Sequence, residues 1–298
     1  MVRPTLPHNP AFLSFFILLT LAACAAPSSL NLATATLIST PSPTATATPV
    51  PLAVSVNGEG IPMPEFEAEL GRYQQAQTAL GNTVNLETAK KAITDEFINI
   101  LLLVQGAAAN GYRVDDAAVQ SRIDNLAAQV GGVDALKAWQ TSHGYTDVTF
   151  RSDLRRQIAA AYMRDKIAAT VPATAEQVHV KQILLYNTTA AQQALGYLKA
   201  GWNFNDLAAQ YDPVTKGELG WFPRGYLSDQ AIEAATFALQ PGQYSDIIQT
   251  RAGYDILFVV ERDPDHPLSP DVLLTLQERA VQAWLTKQRN GSTILFAP

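Results

Sequence analysis

One glycine-rich segment restricts the fold of this chain more than any other stretch. It places the aromatic pair Trp221 and Phe222 between Gly220 and Gly225, with Gly217 just upstream. Glycine lets the backbone adopt conformations that other residues avoid, and large aromatic side chains favour burial. The segment therefore predicts a tight turn that presents two apolar rings to a neighbouring surface.

A helix is predicted immediately after this turn. Residues 230–239 carry Ile232, Ala235 and Leu239 at helical spacing, and Pro241-Gly242 ends the pattern. A short strand must then follow, because proline and glycine together stop the helix and redirect the chain.

The neighbouring sequence completes a compact α/β domain at residues 176–262. Its other predicted elements are a strand at 178–186, helices at 189–200 and 204–211, and strands at 244–250 and 254–261.

Apolar stripes at helical spacing dominate residues 52–172, which we interpret as a helical domain. A short strand at 52–56 comes first and ends at the turn dipeptide Asn57-Gly58. The predicted helices are 64–80, 86–110, one that Asp115 caps and Gly131-Gly132 ends, a short one with Val133, Leu136 and Trp139, and 148–170.

A last helix is predicted near the C-terminus, at 271–288 within a segment spanning 268–290. Pro264, Pro267 and Pro270 indicate a linker before it. The helix is amphipathic and has no obvious partner in the α/β domain, so we expect it to pack on the N-terminal helices.

The N-terminus has the pattern of an export signal at residues 1–23. Arg3 is its single charged residue, and the apolar run at 11–21 is about half as long as a membrane-spanning helix. The run ends in Leu21-Ala22-Ala23-Cys24, which resembles the lipobox of bacterial lipoproteins. The resemblance implies a lipid on Cys24 that anchors an extracytoplasmic protein in the membrane; the alternative is a chance cysteine after an ordinary signal peptide.

A tether is predicted at residues 24–51. After Cys24 the segment consists mostly of Ala, Thr, Pro and Ser, without Lys, Arg, Asp or Glu, and has too few large apolar residues to form a core.

Composition argues against several classes of function. The net charge is -6, and it becomes -7 without the signal, so a basic nucleic-acid-binding surface is not expected. Cys24 is the only cysteine and the four histidines are scattered. The sequence has no hydrolase motif, no metal-binding motif and no phosphate-binding motif. It therefore predicts neither a metal site nor a cofactor, and it does not favour a hydrolase.

Four motifs in order resemble the parvulin-type peptidyl-prolyl isomerase domain. They are Val178-His179-Val180-Lys181-Gln182-Ile183-Leu184-Leu185, Gly217-Glu218-Leu219-Gly220-Trp221-Phe222, Phe237-Ala238-Leu239 with Pro241-Gly242, and Gly253-Tyr254-Asp255-Ile256. The helical parts are similar in pattern to the SurA and PrsA foldases. The resemblance implies an α+β protein in which a parvulin-like domain is inserted between N-terminal chaperone helices and a C-terminal helix.

This resemblance implies rotation about Xaa-Pro bonds in unfolded exported polypeptides. The barrier is about 20 kcal/mol and no covalent bond changes. An apolar pocket for the proline ring, with polar groups that favour the twisted amide, suffices in principle. The positions that match this pocket are Leu219, Leu227 and Ile232.

The polar positions depart from the family pattern. Gln182 and Asp255 replace the usual histidines, and Asp212 matches a third position that is usually Asp or Cys. His179 lies three residues from Gln182, so strand alternation puts it on the opposite face, as a surface or packing residue.

Two interpretations of these polar residues remain open. Gln182, Asp212 and Asp255 could form a rebuilt catalytic network in which one carboxyl stays protonated. Alternatively, the site has decayed and the domain only binds peptides. The protein is accordingly either a membrane-anchored isomerase and foldase, or a non-catalytic lipoprotein chaperone that binds unfolded segments.

Overall fold

A computed structural model describes residues 50–297 of the chain. The elements in order are β1 (Leu52–Val56), β2 (Glu59–Pro62), α1 (Met63–Ala79), α2 (Leu86–Ala109), α3 (Asp116–Val130), α4 (Val133–Ser142), α5 (Asp147–Ala168), β3 (Thr174–Leu185), α6 (Thr188–Lys199), α7 (Phe204–Tyr211), β4 (Glu218–Pro223), α8 (Gln230–Ala238), β5 (Ile248–Gln249), β6 (Tyr254–Pro267), α9 (Pro270–Asn290) and β7 (Ile294–Phe296). The predicted signal, Cys24 and most of the tether lie outside the described residues.

The described residues divide into two compact units. The first comprises residues 50–163 and 288–297, and the second comprises Arg164–Lys287. Helices α5 and α9 contribute residues to both units.

Helix α2 supplies much of the apolar interior of the first unit. The Asn85 side chain caps its N-terminus by accepting a hydrogen bond from the Thr88 backbone N–H at 3.0 Å. By length and composition alone it could cross a membrane, and 44% of its most apolar window is buried inside the protein. Its buried residues are Ala89, Ile93, Phe97, Ile98, Ile100, Leu101, Leu102, Leu103 and Ala107.

A small antiparallel sheet of order β2-β1-β7 also belongs to the first unit. Asn57 and Gly58 both have positive φ, 53° and 87°, which gives the tight turn between β1 and β2 that the sequence predicts. Neither β2 nor β7 is predicted from the sequence. Both strands are short, and β7 pairs with a strand near the other end of the chain.

The second unit is built on an antiparallel sheet of order β4-β3-β6-β5. Helices α6 and α7 cover one face, where Ile183, Leu185 and Ile256 are buried. On the opposite face a second cluster contains Phe222 of β4 and Phe237 of α8. This division of apolar residues follows from the alternation of side chains along β3 and β6.

Three predictions about the second unit are wrong. The predicted linker at Pro264 and Pro267 is part of β6, because Pro264 lies where the β3–β6 register shifts and a missing N–H is tolerated there. The predicted turn around Trp221 and Phe222 is strand β4, paired with β3. Only Ile248–Gln249 of the predicted 244–250 strand is regular.

The hydroxyl of Ser245 explains the third of these differences. It accepts a hydrogen bond from the Leu257 backbone N–H at 2.9 Å, while the Ser245 N–H donates to the Leu257 carbonyl at 2.8 Å. A side chain therefore replaces one main-chain acceptor and interrupts the ladder.

Helix α9 has a partner in the second unit, contrary to the expectation from its sequence. The Arg279 guanidinium donates to the carbonyl oxygens of Gly225 and Leu227. Its last turn belongs to the first unit, where Arg289 donates to the Asp95 carboxylate at 2.8 Å and to Asn99 at 3.1 Å.

Replacement of Phe237 by alanine should destabilise the second unit strongly. The ring is buried, meets Phe222 at a centroid distance of 6.3 Å and supports the Arg224 guanidinium at 4.1 Å. We expect Phe237→Ala to lower the free energy of unfolding by about 3 to 5 kcal/mol in chemical denaturation. Tyr186→Ala, at a side chain that is 80% exposed, should change it by about 0.5 kcal/mol or less. Similar losses in both variants would contradict this description of the core.

Candidate functional site

Gln182 and Asp255 lie on the face of the β3–β6 sheet that carries the apolar cluster of Phe222 and Phe237, called the α8 cluster below. Gln182 is paired with Leu257, and Asp255 with Leu184. Val180, two residues before Gln182, belongs to the same cluster as Leu257, which fixes the face. Diagonal neighbours on antiparallel strands lie about 7 Å apart, so the two polar residues are neighbours.

Leu227 and Ile232 both pack against this cluster as partly buried side chains. Two carboxylates hold their backbones in place. Asp229 caps α8 by accepting from the backbone N–H groups of Ala231 at 2.9 Å and Ile232 at 3.3 Å. Glu233 accepts from the Leu227 N–H at 3.3 Å.

Leu219 lies in an irregular part of β4. Gly220 is paired with Val180 and Glu218 with Lys181, so Leu219 is the extra residue of a bulge. Its side chain is 37% exposed. Thus the structure gathers Leu227 and Ile232 around one cluster and leaves Leu219 on the edge strand.

Asp255 is buried, with 1% of its surface exposed. Its carboxylate accepts a hydrogen bond from the Thr250 hydroxyl at 2.9 Å. Burial raises the pKa of this carboxyl, against the lowering effect of Thr250, and the negative charge of Asp229 raises it further. With so little exposed surface, the Asp255 carboxylate is not open to direct contact with a substrate.

Asp212 stands at the C-terminal end of α7 and is half-buried. Its carboxylate accepts hydrogen bonds from the backbone N–H groups of Val214 and Thr215 at 3.1 and 3.0 Å. It also accepts from the Thr215 hydroxyl. The carboxylates of Asp212 and Asp255 therefore have separate hydrogen-bond partners. Among residues 50–297 no hydrogen bond joins Gln182 to Asp212 or Asp255.

The Gln182 backbone is in close contact with Gly217. Its N–H donates to the Gly217 carbonyl at 2.7 Å. A Cβ atom on Gly217 would lie 2.1 Å from the Gln182 carbonyl oxygen, so only glycine fits there. Neither this contact nor the hydrogen bond from Thr250 to Asp255 is predicted from the sequence, although the first glycine of the Gly-Glu-Leu-Gly motif is a signal for the contact.

His179 lies on the opposite face of the sheet, as predicted. Its Nε2 is hydrogen-bonded to the Glu218 carboxylate, and its ring stacks on Trp221 at 5.4 Å. His266 stacks on Trp221 at 4.2 Å. These contacts describe a packing role for His179. Nowhere in the described part of the chain do three or more His, Cys, Asp or Glu side chains form a group that could hold a metal ion.

A recess of about 210 Å³ lies in the first unit, between α1 and the segment that joins α4 to α5. Glu65, Arg72 and Tyr145 line it. Arg72 stacks over the Tyr145 ring at 4.0 Å and bonds to Glu69, while Glu65 pairs with Arg156. Burial raises the pKa of Tyr145 to about 12, so its hydroxyl stays protonated. The recess is large enough for one side chain of a bound polypeptide.

The buried carboxyl of Asp255 should make stability depend on pH. Because its folded-state pKa is raised, stability is lost as pH rises from the ordinary value of 3.8 through the raised pKa. Asp255→Asn should remove this loss, so that urea denaturation shows the variant gaining on the wild type as pH rises. Thr250→Val, which removes the hydrogen bond that lowers the pKa, should enlarge it. Parallel pH profiles for Asp255→Asn and the wild type would exclude this role.

Two family models match this chain. The family described as the SurA-like N-terminal domain matches residues 14–164, and the PPIC-type PPIASE domain matches residues 186–261. These matches confirm the predicted resemblance and the predicted fold class. The second match includes Asp212 and Asp255 but begins after Gln182.

Curated relatives carry names of chaperones and foldases. Chaperone SurA of Methylobacillus flagellatus is 27% identical over 212 residues, which cover 59% of this chain and 48% of that protein. Foldase protein PrsA of Bacillus subtilis is 28% identical over 157 residues, which cover 49% and 53%. The chain spans about half the length of these two relatives. A crystal structure of PrsA from Bacillus cereus has 21% identity and a TM-score of 0.45, covering 80% of this chain and 85% of that one.

Proposed function

Because this chain belongs to the family with the SurA-like N-terminal domain and carries a PPIC-type PPIASE domain, we propose that it is an extracytoplasmic foldase. It binds unfolded exported polypeptides and accelerates rotation about their Xaa-Pro bonds. The substrates are thus proline-containing segments, and the reaction needs no cofactor because no covalent bond is made or broken.

The observation that supports this proposal most is that two apolar side chains and Gln182 share one face of the sheet. Leu227 and Ile232 pack against the cluster on the same sheet face as Gln182. A proline ring seated there would place its preceding amide beside the carboxamide of Gln182, which offers both donors and an acceptor. Hydrogen bonds that are stronger to the twisted amide than to the planar one would lower the barrier.

The alternative proposal is a chaperone that binds the same segments without catalysis. It is favoured by the replacement of both usual histidines and by the separate hydrogen-bond partners of Asp212 and Asp255. In that case this apolar surface binds proline-containing chains but does not stabilise the twisted amide preferentially.

A protease-coupled assay on Xaa-Pro peptides tests the isomerase proposal. Ile232→Ser should lower kcat/KM by roughly 10- to 100-fold, because the pocket loses apolar contact with the ring. Ile247→Ser is the matched control, since Ile247 is also half-buried but packs on the opposite face of the sheet. Its kcat/KM should stay unchanged, while thermal denaturation shows a comparable loss of stability.

Two other outcomes would favour the chaperone. The wild type would give no acceleration over the uncatalysed rate, yet suppress the aggregation of a client that lacks proline. Activity that appears only in the Gln182→His, Asp255→His double variant would show that the site is built for isomerisation and has decayed.

Membrane anchoring through Cys24 is a further part of the proposal, supported by the lipobox-like segment before this cysteine. After expression in a bacterium, the wild type should incorporate labelled fatty acid and sediment with membranes, whereas Cys24→Ser should do neither. Release of unlabelled wild-type protein in soluble form would exclude the lipid anchor.

A further inference from the structure

We propose that Asp212 is a positioning residue that closes the loop at residues 212–217 and thereby sets the position of Gln182. This inference rests on the proposed isomerase site and assigns Asp212 a role other than proton transfer or charge stabilisation at the substrate.

The Asp212 carboxylate is engaged within its own loop. It accepts from the N–H groups of Val214 and Thr215 and from the Thr215 hydroxyl. The Asp212 carbonyl also accepts from the Lys216 N–H at 2.9 Å. The Thr215 hydroxyl is the main cause that lowers the pKa of Asp212, followed by backbone N–H groups of the loop. The carboxylate therefore stays ionised at neutral pH and accepts hydrogen bonds from three donors of its own loop.

This loop ends on the backbone of Gln182. Lys216 and Gly217 both adopt positive φ, 55° and 74°, which brings the Gly217 carbonyl to 2.7 Å from the Gln182 N–H. A left-handed conformation is unfavourable for lysine, so the loop needs compensating contacts. The bonds from Asp212 supply them, and they link Asp212 to Gln182 through the chain between.

Replacement of Asp212 by asparagine separates the positioning role of the side chain from its charge. Its side-chain oxygen can accept from the same two backbone N–H groups, and the Thr215 hydroxyl can turn to accept from the new amide. Asp212→Asn removes the charge but keeps the closed loop. Asp212→Ala removes both, and Thr215→Val removes only the hydroxyl contact.

For the full-length protein we expect Asp212→Asn to retain kcat/KM within about twofold in the protease-coupled assay. Asp212→Ala should lose roughly tenfold or more, and Thr215→Val should lose activity in the same direction, because a displaced group loses much of its catalytic effect. Asp206→Asn, an exposed acid on the same helix, is the control for charge loss and should resemble the wild type.

Amide hydrogen exchange at Gln182 gives a readout that is independent of catalysis. Exchange should accelerate in Asp212→Ala and stay slow in Asp212→Asn, with thermal denaturation confirming that both variants fold. Equal losses of activity in Asn and Ala variants, with unchanged exchange at Gln182, would overturn the inference and indicate a direct role for the charge. If the wild type has no isomerase activity, the proposed function fails, while the exchange experiment still decides whether Asp212 positions Gln182.

Discussion

The antiparallel pairing of β3 with β6 is the interaction on which the candidate site depends. It places Gln182 opposite Leu257 and Asp255 opposite Leu184, so both polar residues share the face of the α8 cluster. Because side chains alternate along a strand, a slip of one residue would turn both to the face under α6 and α7. Burial of the two apolar clusters therefore stabilises the sheet and also fixes which side chains meet at the site.

The two residues that replace histidines have different physical consequences. Gln182 is neutral, so it sits beside apolar residues without the cost of burying a charge. Asp255 is almost fully buried with Thr250 as its side-chain partner, and this incomplete compensation keeps its pKa raised. At this site a neutral amide and a buried carboxyl therefore replace two imidazoles, whichever of the two proposed functions the domain serves.

Local patterns in the sequence predicted most elements, because apolar spacing and capping residues act over a few positions. Asn57-Gly58 gives the expected hairpin turn, and the glycine-flanked Trp221 and Phe222 identify the α/β domain. Two of the errors involve pairing between distant segments: β7 joins β1 from the other end of the chain, and Pro264 belongs to a strand because the register shifts there. Neither effect has a local signal.

Motifs and apolar spacing are sufficient to identify the family, the faces of the strands and the residue types available to the site. Their surroundings follow only from the packed fold: Asp255 is buried against Thr250, Asp212 bonds within its own loop, and Gly217 approaches Gln182 closely. The physical reason is that burial and hydrogen-bond partners depend on the packing of segments that lie far apart in the chain, whereas periodicity and capping depend on near neighbours.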